Sequence, residues 1–181
     1  MKMLSKVAMV GVFRGCVLLL ILGTVAAAAD DPCELPPALR NALSKSHPGA
    51  RVVRLSDLSD SDRDFFRKDH GNTCPGLAQV DFYGDKKPTW AVVLIAGDGL
   101  KRKTELVVAH RAGATWEIRL LEGAGTDVPV VWRQDPGEYN DVCGDKKIQA
   151  KSEVVVLCGY ESWAILYAWS GKEVEKIWIS D

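Results

Sequence analysis

The sequence predicts an α+β domain in which two short N-terminal helices pack on a curved antiparallel β-sheet of roughly seven or eight strands. Two observations carry this prediction. Leu35, Leu39 and Leu43 recur every four residues near the N-terminus, as on one face of a helix. From residue 77 onward, short runs rich in Val, Ile, Leu and Trp alternate with glycine-containing turns, which is typical of an antiparallel meander.

The first helix is predicted over residues 36–46, and the Pro48-Gly49 pair ends it. The second is predicted over residues 59–71. Ser59 and Asp62 have the spacing of a capping box, and a glycine follows the last helical residue. Acidic side chains at its start interact favourably with the helix dipole, which we prefer to a cation site as the explanation of the local aspartates.

Eight later segments are predicted as strands because β-branched and aromatic residues dominate them. They are LAQVDFY, TWAVVLIA, TELVVAHR, TWEIRLLE, VPVVWRQ, EVVVLCG, SWAILYAW and EVEKIWIS. A further strand, ARVVRLSDL, is predicted between the two helices. No linker rich in proline or serine divides residues 30–181, so we expect a single domain there.

The first 29 residues have the pattern of a secretory signal peptide. A basic start with Lys2, Lys6 and Arg14 precedes an apolar run, and the run ends in alanines that match an A-x-A cleavage pattern at residues 27–29. The apolar run is shorter than the roughly 20 residues that span a bilayer. We therefore expect export to the periplasm or beyond, with no membrane span in residues 30–181.

Charge and motifs exclude several classes of protein. Removal of residues 1–29 takes away three of 23 basic residues and none of 24 acidic ones, which leaves a formal charge of −4. Nucleic-acid binders carry a basic field, so that class is disfavoured. The chain contains no G-x-G-x-x-G, P-loop, H-E-x-x-H or G-x-S-x-G motif, and we predict no cofactor, metal or catalytic residue.

Four cysteines follow the predicted cleavage site, and an even number in an oxidising compartment predicts two disulfides. Of the three possible pairings, we favour Cys33 with Cys74 and Cys143 with Cys158. The first bridge ties down the N-terminal segment, and the second joins neighbouring C-terminal segments. No C-x-x-C motif is present, which argues against a thiol oxidoreductase.

Two groups of residues are candidate binding positions. Trp163, Tyr167 and Trp169 share one face of a strand by the period of two. That face either packs into the core, which we favour, or lies exposed to stack on a glycan or dock a protein. Lys101, Arg102 and Lys103 form a basic connection that is either a solvated tip or a contact for an anionic partner, such as a phospholipid head group.

The segment 81–92, DFYGDKKPTWAV, resembles a degenerate FG-GAP-type calcium-loop repeat. The resemblance implies oxygen ligands at alternate positions, but Lys86 occupies the place of the glycine and Val92 the place of the last ligand. A hairpin is the better interpretation. As a whole, the stretches LPPALRNAL, TCPGLAQVDFYGDKKPTWAVVLI and ESWAILYAWSGKEVEKIWISD resemble uncharacterised small exported bacterial proteins of no named activity.

These observations favour an exported, non-enzymatic binding module, such as an inhibitor or an immunity-like protein. Two alternatives stay open. A small periplasmic hydrolase would need a histidine or carboxylate beside a nucleophile, which is recognised by geometry and not by residue order. A cell-envelope assembly or stability factor would need no small-molecule ligand.

Overall fold

The computed structural model describes residues 31–144 and 146–180, so the predicted signal peptide lies outside the described residues. Two α-helices, two 3₁₀ turns and eleven strands follow one another along this part of the chain. They are α1 (Pro37–Ser46), β1 (Arg51–Val52), a 3₁₀ turn (Leu55–Asp57), α2 (Asp60–His70), β2 (Leu77–Val80), β3 (Thr89–Ala96), a 3₁₀ turn (Gly99–Lys101), β4 (Lys103–Ala112), β5 (Thr115–Gly125), β6 (Val130–Gln134), β7 (Gly137–Asn140), β8 (Lys147–Ala150), β9 (Val154–Gly159), β10 (Trp163–Trp169) and β11 (Val174–Ser180).

The strands form three antiparallel sheets where the sequence predicted one sheet of seven or eight strands. Sheet A has the order β1-β3-β4-β5, with β2 also paired to β3. Sheet B has the order β11-β10-β9-β6, and sheet C is the β7-β8 hairpin. The α+β class, the two helices and the antiparallel pairing are confirmed. The predicted strand number and the single sheet are wrong, because the described residues form eleven strands in three sheets.

The sheets stack in layers with an apolar core between neighbouring layers. The two faces of a central strand such as β3 contribute side chains to two different cores. Sheets A and B face each other across the main core, to which Val93, Leu157 and Tyr167 contribute. On the other face of β3, Val92 and Leu94 pack beneath α1 in a second core. A third core lies between sheets B and C. Alternating side chains of β3 therefore enter two different cores, which explains why this strand is apolar throughout.

Both helices form where the sequence predicts them. The Ser59 hydroxyl accepts a hydrogen bond from the Asp62 N–H at 3.1 Å, which satisfies a donor at the start of α2. Gly71 ends α2 with a φ of 65°, in the left-handed region that glycine adopts without strain. Phe66 carries α2 into the main core, and Leu39 and Leu43 bury one face of α1 against sheet A.

Cys33 and Cys74 form the predicted disulfide, which closes a loop with a sequence separation of 41. The second predicted bridge is wrong: Cys143 and Cys158 are both free thiols in the structure. Cys158 lies on β9, whereas Cys143 lies in a turn whose neighbour Val142 donates to Trp178 of β11. Strands two places apart in a sheet are separated by roughly 10 Å, beyond the reach of a disulfide.

Among residues 31–144 and 146–180, no helix has the length and hydropathy that crossing a membrane requires.

Candidate functional site

A groove of about 950 Å³ runs along one seam between sheets A and B, where the edge strands β2 and β6 approach each other. The Val93 N–H donates to the Gly76 carbonyl at 2.9 Å, so Gly76 and every second residue after it direct their backbone groups towards β3. By the antiparallel alternation, the backbone groups of Leu77 and Gln79 point the other way, towards the groove. The Leu77 N–H already donates to the Cys74 carbonyl at 3.4 Å, so the open N–H of this edge is that of Gln79.

The same alternation applies to β6. The Val131 N–H donates to the Pro75 carbonyl at 2.8 Å, and this bond closes one end of the seam. The backbone N–H and C=O of Val131 therefore point away from β9, with which β6 is paired. Arg133, two residues further on, directs its backbone groups to the same side. Within residues 31–144 and 146–180, the backbone groups of Gln79 and Arg133 on this side have no backbone partner. They face one groove whose volume is within the range of ligand clefts, roughly 300–1,000 Å³.

Gly76 is required where the β2 edge begins. A Cβ at this position would lie 2.5 Å from the Val53 carbonyl oxygen, so a side chain would displace the Val53 backbone. Val53 in turn donates its N–H to the Val93 carbonyl at 3.0 Å. The close contact holds the start of β2 against sheet A and fixes the direction of its free edge.

The Glu153 carboxylate connects the two strands at the other end of the groove. One oxygen accepts the Asp81 N–H at 2.7 Å, and the other accepts the Arg133 guanidinium at 2.6 Å. Ser152 next to it donates to the Phe82 carbonyl at 2.8 Å. These contacts link β2 and β6 at both ends of the groove, and the backbone groups of Gln79 and Arg133 lie between them.

One end of the groove is aromatic. His70 lies between Phe66 and Trp132, with ring centroids 5.0 and 4.9 Å away. Burial lowers the pKa of His70, and the Asp69 charge partly opposes this effect. The neutral imidazole and the Trp132 ring form an apolar surface beside the strand edges.

The opposite end is cationic and belongs to the 81–92 segment. Lys86 and Lys87 line it, and Lys86 has a φ of 60°. Its backbone N–H donates to the Asp81 carboxylate at 3.0 Å, while Lys87 lies 3.2 Å from Asp85. The segment is a turn in which Lys86 and Lys87 line the groove together with Asp81.

The aromatic strand β10 lies mostly inside the protein. Tyr167 is only 1% exposed, and its hydroxyl donates to Glu122 of β5 at 2.7 Å. Burial and this carboxylate raise the pKa of Tyr167 well above its usual range. Trp163 and Trp169 are half-buried against the main core, and Trp169 packs edge-on to Tyr83 at 5.1 Å. Tyr167 is therefore a core residue, and its hydrogen bond links β10 of sheet B to β5 of sheet A.

The basic connection between β3 and β4 lies at a hairpin tip. Lys101 and Lys103 are exposed, and Arg102 is half-buried. The tip also carries Leu100, which is 99% exposed.

A hydroxyl, an imidazole and a carboxylate meet at the turn before β3. Thr89 Oγ1 lies 2.8 Å from His110 Nδ1, and Asp85 lies 3.3 Å from His110 Nε2. This connectivity is that of a nucleophile, a base and an orienting acid. However, Thr89 is fully buried, so its hydroxyl does not reach a substrate. The cluster fastens the 81–92 turn to β4.

In the described ranges, 31–144 and 146–180, no group of three or more His, Cys, Asp or Glu side chains is arranged to hold a metal ion.

Sequence reasoning did not single out the groove. Of the residues that line it, the sequence patterns marked Cys74 for a disulfide and the 81–92 turn for calcium chemistry. Trp132 and His70 are far apart in the chain, and neither has a motif around it. The proline at 75 and the polar Gln79 are the signals that mark LAQV as an edge strand.

The structure defines an α+β protein with a layered antiparallel core and a groove between two strand edges. Comparison of the chain with protein-family models, with curated protein sequences and with solved structures found no match.

Proposed function

We propose that the protein is an exported, non-enzymatic binding module that holds an extended polypeptide segment of a partner protein in the groove between β2 and β6. An inhibitor or an immunity-like protein is a module of this kind. The observation that supports the proposal is the pair of free strand edges at Gln79 and Arg133. Unpaired edges are templates for a further strand, and strand addition is a common mode of peptide recognition.

The two ends of the groove suggest what the segment carries. The Trp132 and His70 rings favour an apolar or aromatic side chain, since such surfaces stack well. At the other end, about one strand length away, Lys86 favours a carboxylate, whereas Lys87 already lies 3.2 Å from Asp85. Main-chain hydrogen bonds supply affinity in this mode, and the two ends supply selectivity.

A displayed library of random linear peptides, selected on the disulfide-intact protein, tests the proposal. Selected peptides are then measured by calorimetry against wild type, Gln79→Ala and Gln79→Pro. The alanine variant keeps the Gln79 N–H, whereas the proline variant removes it without touching the hydrogen bonds to β3. We expect the alanine variant to bind within about threefold of wild type and the proline variant to lose roughly tenfold or more.

Three outcomes would overturn the proposal. Equal losses for both variants would show that the Gln79 side chain, not the strand edge, binds the peptide. Equal binding by all three proteins would place the peptide elsewhere. A selection that yields no peptide would favour an envelope factor without a polypeptide ligand in this groove.

The hydrolase alternative has one specific observation in its favour, the Thr89–His110–Asp85 cluster. We favour a structural role because the hydroxyl is buried. Ester and amide hydrolysis by wild type, Thr89→Val and His110→Gln distinguishes the two. Turnover by wild type that both variants abolish would establish an enzyme.

A further inference from the structure

The tip of the β3–β4 hairpin presents a leucine to solvent. Leu100 is 99% exposed, whereas the other exposed large apolar side chains range from 38 to 56%. A single exposed leucine is ordinary on a protein surface, and on its own it indicates nothing. The residues beside Leu100 are what indicate a binding surface.

Three cations follow the leucine directly. Lys101, Arg102 and Lys103 have no carboxylate within 4.0 Å among the residues that the structure describes. Neighbouring arginines behave differently, since Arg51 pairs with Asp57 at 2.6 Å. The positive charges of Lys101 and Lys103 are therefore available to an external anion, whereas the half-buried Arg102 also interacts at longer range with Asp57.

The turn holds the leucine in an outward position. Gly97 has a φ of 70°, and a Cβ there would lie 2.6 Å from the Lys101 carbonyl oxygen. Gly99 also has a positive φ, of 53°. These two glycines allow a tight 3₁₀ turn with Leu100 at its outermost point. The tip projects from two paired strands, so it is an extension of sheet A and not a loose loop.

We propose that this tip is a docking point for an anionic lipid surface, with Leu100 entering the head-group region and the three cations contacting lipid phosphates. Peripheral binding of this type scales with the apolar area inserted and with the attraction of basic side chains to anionic lipids. Long basic side chains are suited to it, because their stems lie along apolar surface while the charged ends stay in water.

We expect the contact between this tip and the lipid surface to be weak and reversible. One leucine is inserted, and the nearby carboxylates of Asp98 and Glu105 oppose the cations. Glu105 lies 3.7 Å from His47, Asp98 interacts with Arg51, and Asp57 interacts with Arg102. Because residues 30–181 have a formal charge of −4, attraction to an anionic surface depends on the orientation that this tip provides.

Co-sedimentation with vesicles tests the inference. Residues 30–181 are mixed with vesicles of phosphatidylglycerol and phosphatidylcholine, or of phosphatidylcholine alone. We expect binding to the anionic vesicles only, weakened by salt. Leu100→Ser should reduce the partition coefficient by about tenfold, and the pair Lys101→Gln and Lys103→Gln by roughly tenfold or more.

Matched controls use residues with the same chemistry elsewhere. Leu120→Ser changes another exposed leucine, and the pair Lys45→Gln and Lys172→Gln removes the same charge from other surfaces. Both controls should bind as wild type does. Unfolding midpoints of all variants check that each one is folded.

Unchanged vesicle binding by Leu100→Ser, or an equal loss in the controls, would overturn the inference. The absence of any vesicle binding would do so too. If soluble polyglutamate binds the tip and vesicles do not, the partner is an acidic protein. These outcomes are independent of peptide binding in the groove.

Discussion

The Glu153 carboxylate lies 2.7 Å from the Asp81 backbone nitrogen, across the seam between sheets A and B. Its second oxygen lies 2.6 Å from the Arg133 guanidinium, so one side chain connects β2 to β6. Glu153 is mostly buried, with a side-chain exposure of 20%. It links the two strands at this end of the groove.

Glu153→Ala should lower the free energy of unfolding by about 1–3 kcal/mol, because it leaves a backbone N–H without its charged acceptor. Urea denaturation measures the change. The control is Glu138→Ala, which breaks a similar 2.6 Å pair with Lys147, in which Glu138 is 50% exposed. Exposed pairs contribute roughly 0–1 kcal/mol, so the control should remain near wild type. Equal losses of unfolding free energy in the two variants would show that Glu153 contributes no more than an exposed ion pair does.

The disulfide should contribute substantially to stability, because it closes a loop with a sequence separation of 41. The double variant Cys33→Ala and Cys74→Ala is expected to lose about 2–4 kcal/mol of unfolding free energy. Cys143→Ser is the control, since this thiol is exposed and unbridged. A double variant as stable as the control would contradict the assignment.

Acid should destabilise the protein through His70. Its lowered pKa means that the folded state binds this proton more weakly than the unfolded chain does. Its contribution to stability is therefore fully present above the unfolded pKa of about 6.5 and is lost as the pH falls below it. Urea unfolding on both sides of this pH measures the loss, which His70→Gln should remove.

Asp69 provides a sharper control for the same group. Its charge raises the pKa of His70, so Asp69→Asn should lower that pKa further and enlarge the loss of stability in acid. A smaller acid effect in Asp69→Asn than in wild type would show that His70 is not the group responsible.

The two free thiols should differ in reactivity. Burial, reinforced by the charges of Asp62 and Asp69, raises the pKa of Cys158 to about 11, whereas Cys143 is exposed. Since the thiolate is the nucleophile, native protein should show one fast and one very slow reaction with a disulfide reagent. Cys143→Ser should abolish the fast phase. A fast phase that persists in this variant would contradict the burial of Cys158.

Local patterns predicted most of the secondary structure. The Ser59 cap and the following acidic turn placed α2 correctly, and all eight later strand runs overlap strands. LAQVDFY, however, ends as a strand at Val80, and only Arg51–Val52 of ARVVRLSDL forms one. The β7–β8 hairpin was missed because GEYN and KIQA are short and mostly polar. The division into sheets was missed for another reason: strand pairing is non-local, and nothing near Val130 states that β6 joins β9 and not β5.

The candidate site was harder to predict than the fold. The period of two correctly placed Trp163, Tyr167 and Trp169 on one face, but only the opposing sheet decides whether that face is buried. The groove depends on which edges stay unpaired after three sheets have formed. That property belongs to the tertiary arrangement, so a run such as LAQV cannot reveal it alone.

Amide hydrogen exchange with and without a selected peptide tests the central claim most directly. We predict slower exchange at the Gln79 and Arg133 amides, which face the groove. Ala78 and Trp132 provide the internal control, because their amides already face β3 and β9 and should change little. Protection confined to other strands, with Gln79 and Arg133 unchanged, would contradict binding by strand addition in this groove.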